Sequence, residues 1–113
     1  MDVHAAVAEA TLLERVVLLG VIDRADGSVR PDEVRSTCNE RFTVETGRLS
    51  EADVSRALNV LEANGVLECH REKNPSPVGK GRPSYELAVD ADDALAELEK
   101  YEGISSLASS IRE

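Results

Sequence analysis

The stretch Ser50–Glu68, SEADVSRALNVLEANGVLE, decides how the rest of the chain is read. Ser50 followed three residues later by Asp53 has the form of a capping box, with Asp in place of the usual Glu or Gln, and opens a helix. Val54, Leu58 and Leu61 then fall at i, i+4 and i+7 with Ala57 beside them, so one face is apolar while Ser55, Arg56 and Asn59 lie away from it. Gly65 ends the helix, as the residue past a last turn often needs a left-handed backbone. Val66-Leu67-Glu68-Cys69-His70-Arg71 then takes the character of a strand, answered by Ser84-Tyr85-Glu86-Leu87-Ala88-Val89 in a predicted hairpin. The connection from Glu72 to Pro83 holds three prolines and two glycines, the composition of a long exposed loop.

Upstream, Leu12, Leu13, Val16, Val17 and Leu19 recur at helical spacing, widened by Leu18, Val21 and Ile22, and Thr11 with Glu14 makes a second capping box. The pattern predicts a helix over 12–24, with helix-forming residues 4–8 either continuous with it or broken off at Thr11. Gly20 inside it costs about 1 kcal/mol relative to Ala. After a turn at Asp26-Gly27, Ser28-Val29-Arg30 reads as extended. Pro31-Asp32-Glu33 then reads as the first turn of a helix whose stripe is Val34, Cys38 and Phe42. Thr43 to Leu49, with Gly47, is a loop. Downstream, Asp90 and Asp93 cap a last helix, 90–113, carrying Leu95, Leu98, Tyr101, Ile104, Leu107 and Ile111, with Gly103 marking a bend.

Three helices followed by a hairpin with a long loop give an α+β fold in winged helix-turn-helix order, with flanking N- and C-terminal helices. SEADVSRALNVLEANGVLE resembles the recognition helix and first wing strand of winged-helix transcription regulators, and Gly79–Leu87, GKGRPSYEL, is similar to the wing of the PadR and MarR-like groups. The similarity spans about residues 12–89. Together with the acidic, Lys-poor composition it resembles a halophilic archaeal regulator of the RosR type. The resemblance implies a homodimer that binds double-stranded DNA, with the third helix in the major groove and the wing on the backbone or minor groove. The Thr43–Leu49 loop and the acids Glu51 and Asp53 depart from the pattern.

Composition fits this reading without requiring it. At 113 residues the chain is expected to be one domain, 1–113, with a winged core at 12–89. Hydrophobic residues make up 42% but aromatics only 3%, so the core is aliphatic. There are 13 basic against 22 acidic residues, a net charge of −9, and ten of the basic residues are Arg. A halophile's protein has this balance, because the Debye length of about 3 Å in molar salt stops carboxylates repelling one another. Global charge therefore does not exclude nucleic acid. Residues 1–40 carry 4 basic and 8 acidic side chains, 41–82 carry 7 and 6, and 83–113 carry 2 and 8, so only the middle is not acidic.

Within that middle, Arg48, Ser50, Ser55, Arg56 and Asn59 are candidate DNA contacts on and before the third helix, and Lys73, Lys80, Arg82 and Ser84 on the hairpin. Arg can bond guanine bidentately, Asn can bond adenine, and hydroxyls and lysines suit phosphate. Monovalent cations bridging carboxylates to phosphates would be further partners. The stripe Leu95, Leu98, Tyr101, Ile104, Leu107 and Ile111 follows a module already complete, so a partner chain is its expected cover in a homodimer.

Other classes are less well supplied. Cys38 and Cys69-His70 bear metal-binding groups without CxxC or HxxxH spacing, and no metal or cofactor is expected. No nucleophile, base and orienting group form a recognisable set, so no enzyme is expected. No apolar run reaches the 18 or so residues of a membrane span, and the start MDVHAAVAEA lacks a signal peptide's basic region, which predicts a soluble cytoplasmic protein. A replication-initiator winged-helix module, which Val16–Glu68 also resembles, and a protein-interaction adaptor are the alternatives; an adaptor's wing need not be basic.

Overall fold

The computed structural model describes residues 2–24, 28–42, 47–71 and 83–112. In chain order these hold α1 (Val3–Glu9), α2 (Leu12–Asp23), α3 (Pro31–Arg41), α4 (Glu51–Ala63), β1 (Leu67–Arg71), β2 (Pro83–Leu87), α5 (Ala91–Leu98) and α6 (Ser105–Arg112). The strands pair antiparallel, Leu67 opposite Leu87 through Arg71 opposite Pro83. The fold is α+β, six helices and one two-stranded sheet among the described residues.

Side-chain caps set the helix starts. Thr11 Oγ1 accepts from the Glu14 amide at 3.2 Å while Glu14 returns a carboxylate to the Thr11 amide at 3.1 Å, and this reciprocal pair breaks α1 from α2. Ser50 and Asp53 do the same for α4 at 3.1 and 3.3 Å, so the shorter Asp closes the box as Glu would. Asp90 Oδ1 accepts from the amides of Asp92 and Asp93 at the head of α5. The end of α4 is a Schellman turn: Gly65, at φ 82°, donates to Glu62 O, and Val66 donates to Leu61 O, both at 3.0 Å.

α2 is the centre of the molecule. Val16 through Ile22 are all buried, because α3, α4, α5 and β2 pack around it. Gly20 has a steric reason: a Cβ there would stand 2.8 Å from Cys38 Sγ and 3.4 Å from Val34 Cγ1 on α3. Cys38 donates to Val16 O at 3.7 Å, and burial, with Asp23 adding to it, pushes its thiol up to about 12. A thiol so held is inert as a redox nucleophile at neutral pH. Arg24 bonds Thr37 and Glu33, and Arg41 pairs with Asp23 at 2.6 Å, fastening the end of α2 to α3.

The C-terminal segment departs from expectation in two ways. The single helix over 90–113 is two, parted by a turn at Gly103 with φ 87°. Its apolar row also has cover within its own chain: α5 packs on α1 and α2, and Leu95, Leu98 and Ile104 are buried. Tyr101 lies under the Arg15 guanidinium, 3.8 Å from the ring centroid, while Arg15 also donates to Val7 O and Ala8 O at the end of α1. α1 was the missing cover, since its short run of Ala and Val carries too little periodicity to announce a packing face. Leu107 is partly buried, and the side chain of Ile111 lies outside the described residues.

Replacing Gly20 with Ala should destabilise the protein by about 1–3 kcal/mol through overpacking, against the helix propensity that favours Ala. Adding Cys38→Ala should recover most of that loss in urea denaturation, because the clash is with Sγ. A second expectation concerns the α1–α5 contact, where Glu97 accepts from Lys100 at 2.9 Å and meets His4 at 2.8 Å. The Lys100 bond first, and His4 next, hold the Glu97 carboxyl below its ordinary value. A lowered carboxyl adds stability above its unfolded pKa and loses it as pH falls through the folded one. Glu97→Gln should therefore be less stable than wild type at neutral pH, with the two converging below about pH 4 in acid unfolding curves.

Candidate nucleic-acid interface

α4 presents two distinct sides. Val54, Ala57, Leu58 and Leu61 are buried, and the helical period puts Ala52, Arg56, Asn59 and Ala63 diametrically opposite, all four exposed. That outer face has one guanidinium and one carboxamide between two methyl groups. Ala52 and Ala63 escaped sequence reasoning because alanine carries no polar signal, yet their small size would let another surface approach the helix closely. Ser55, half-buried, sits on one flank with Glu51 and Glu62. Asp53 lies on the other flank with its carboxylate turned back to the Ser50 amide. The first-turn acids Glu51 and Asp53 are thus off the centre of the outer face.

Three of the expected site side chains are engaged inside the protein. Asn59 Oδ1 accepts the Tyr85 hydroxyl at 3.1 Å, which ties α4 to β2. Ser50 Oγ is the cap of α4. On the hairpin, Ser84 Oγ donates to His70 O across the strands at 3.2 Å. Arg48 and Arg56 are exposed, whereas Lys73, Lys80 and Arg82 lie outside the described residues.

A cleft of about 400 Å³ lies between α3 and the residues leading into α4, lined by Arg35, Ser36, Asn39, Glu40, Arg48 and Leu49. Its organising residue is Asn39, whose Oδ1 accepts the Leu49 amide at 2.8 Å and whose Nδ2 donates to Leu49 O at 3.3 Å. Asn39 thus mimics a strand partner for one residue, holding the approach to α4 and with it the positions of Arg48 and Ser50. Arg35 and Arg48 give the cleft two permanent positive charges beside one carboxylate, Glu40, which accepts from Ser36 at 3.4 Å. Arg35 was missed because its own helix is acidic in sequence; only the fold sets it beside Arg48.

No protein-family model matches the chain, and no curated protein sequence matches it. Among solved structures it is similar to Pex from Synechococcus sp. (strain PCC 7942), at 21% identity and a TM-score of 0.53, over 80% of this chain and 77% of that one. The similarity is one of fold.

Asn39→Ala should remove both bonds to Leu49 and destabilise the protein by about 1–3 kcal/mol. Hydrogen exchange should locate the loss, with faster exchange at the Leu49 amide while amides in the middle of α2 keep their protection relative to global stability.

Proposed function

We propose that this chain is a winged helix-turn-helix transcription regulator of the PadR and MarR-like kind. In this reading it binds double-stranded DNA sequence-specifically as a homodimer in the cytoplasm of a halophilic archaeon. The observation that carries the reading is the outer face of α4, where Arg56 and Asn59 stand exposed between Ala52 and Ala63 and opposite the buried stripe.

With α4 in the major groove, Arg56 donates to guanine O6 and N7. Tyr85 holds the Asn59 carboxamide by its oxygen, leaving the amino end to meet a base acceptor. Arg48 and Arg35 take phosphates at the cleft, and Ser55 meets the backbone on the flank. The hairpin contributes Ser84 and, from the segment between β1 and β2, Lys73, Lys80 and Arg82. The dimer contact draws on Leu107 and on Leu12, the one large apolar side chain that is exposed among the described residues, at 39%. No helix among the described residues is long and apolar enough to cross a membrane.

Capture of genomic DNA by the protein, followed by sequencing, tests the reading: enrichment at promoters supports it, enrichment at origins favours an initiator role, and no enrichment favours an adaptor. On a recovered site, Arg56→Ala should cost about 1–3 kcal/mol and relax preference at one base pair. Arg48→Ala should weaken specific and unrelated DNA alike and reduce the salt slope by about one. Fluorescence anisotropy across potassium chloride concentrations reads both. The slope of the unaltered protein should be shallow, because cations screen or bridge Glu51 and its neighbours to phosphate as salt rises. An Arg56 variant with unchanged base preference would remove α4 from the groove.

A further inference from the structure

The pleat of the hairpin sends Leu67, Cys69, Tyr85 and Leu87 toward the core and Glu68, His70, Ser84 and Glu86 outward. The register sets Glu68 directly opposite Glu86. Two like charges in a cross-strand pair are destabilising, the more so on a chain of net charge −9. His70 lies between them, its Nε2 3.0 Å from Glu86 Oε2 and 3.9 Å from Glu68 Oε2. One ligand atom from each of the three residues lies within 4.8 Å of the others, and all three are exposed.

We infer that the outer face of the β1–β2 hairpin is a divalent transition-metal site with Glu68, His70 and Glu86 as its protein ligands. Ligand atoms held tetrahedrally at zinc distances of about 2.0–2.2 Å stand about 3.4 Å apart, and the 3.0 and 3.9 Å separations bracket that value. Small side-chain rotations complete the triad without backbone movement, since all three ligands rise from paired strands whose register is fixed by Leu67 opposite Leu87 and Cys69 opposite Tyr85. Two carboxylates match the charge of a divalent ion and relieve the Glu68–Glu86 repulsion, and water fills the remaining positions.

The imidazole selects the ion class. Zn²⁺, Co²⁺, Ni²⁺ and Mn²⁺ accept mixed nitrogen and oxygen ligands, whereas Mg²⁺ and Ca²⁺ prefer oxygen alone. Neither cysteine belongs to the site: Cys38 is buried on α3, and Cys69 packs toward the core from the opposite face of β1. An ion here would cross-link β1 to β2 between the two inward-facing pairs. The assignment does not depend on DNA binding.

The test is calorimetric titration of the chelator-stripped full chain with zinc chloride, in a non-chelating buffer near pH 7 at high potassium chloride. One equivalent should bind saturably, at least tenfold more weakly in His70→Ala and in Glu86→Gln, unchanged in Cys69→Ser, and far more weakly when magnesium replaces zinc. Circular dichroism checks that each variant is folded, which the exposure of His70 and Glu86 favours. Cobalt added to isotopically labelled protein should shift amide resonances of β1 and β2 before those of α5. Absence of saturable zinc binding would overturn the assignment. So would zinc binding that survives His70→Ala, which would place the ions in the diffuse acidic surface, or binding lost in Cys69→Ser, which would make the ligand set a different one.

Discussion

Tyr85 joins the helical and sheet parts of this protein. Its backbone exchanges two hydrogen bonds of 2.7 Å with Val29, in the segment between α2 and α3, and it lies opposite Cys69 on β1. Its hydroxyl reaches Asn59 on α4. One residue, through its backbone and its side chain, thus refers three separate pieces of chain to one another. A phenol suits the task because its ring can be buried while the polar end still meets a partner. This contact adds a directional constraint between α4 and the hairpin to the packing of the aliphatic core, whose leucines and valines could repack more freely.

The charged residues divide the same way. By sequence the ten arginines are equivalent, but the fold gives them different work. Arg15, Arg24 and Arg41 bind helix ends and neighbouring helices, so that part of the basic complement is structural. Arg48 and Arg56 stand exposed, one at the entrance to α4 and one on its outer face. A charge count by segment marks the middle of the chain, where those two lie, yet it cannot separate a guanidinium that holds helices together from one that faces outward.

What was legible in the sequence was local. Capping boxes at Thr11 and Ser50, Pro31 at the start of α3, and Gly65 in its Schellman turn act over three to six residues, and each element began within a residue or two of where these signals put it. The strands follow the same logic: strand character located them at 66–71 and 84–89, and pairing sets them at Leu67–Arg71 and Pro83–Leu87. What was illegible depends on contacts between distant residues. Asn39 reads as an ordinary polar residue until Leu49 is beside it, and Glu68, His70 and Glu86 form a group only once the register is known. The stripe of α5 was visible, but amphipathicity says that a face needs cover and does not say whose. α1, with Ala6 and Val7 buried, supplies it.

The acids near α4 pose a question that local geometry partly answers. A carboxylate in the first turn of a helix is favoured there, since the exposed amides carry partial positive charge, and Asp53 spends its negative charge on the Ser50 amide. Glu51 and Glu62 sit on a flank about a quarter-turn or more from the midline of the outer face, as helical spacing requires. At physiological ionic strength the Debye length of about 8 Å leaves both able to oppose an approaching phosphate, while in molar salt it contracts to about 3 Å and the opposition is confined to direct contact. Arg56, on the midline, needs contact in any case. Rising salt would therefore weaken the long-range forces of these acids more than any short-range bond made from the centre of α4, so the acidic flank leaves the outer face of the helix open to direct contacts.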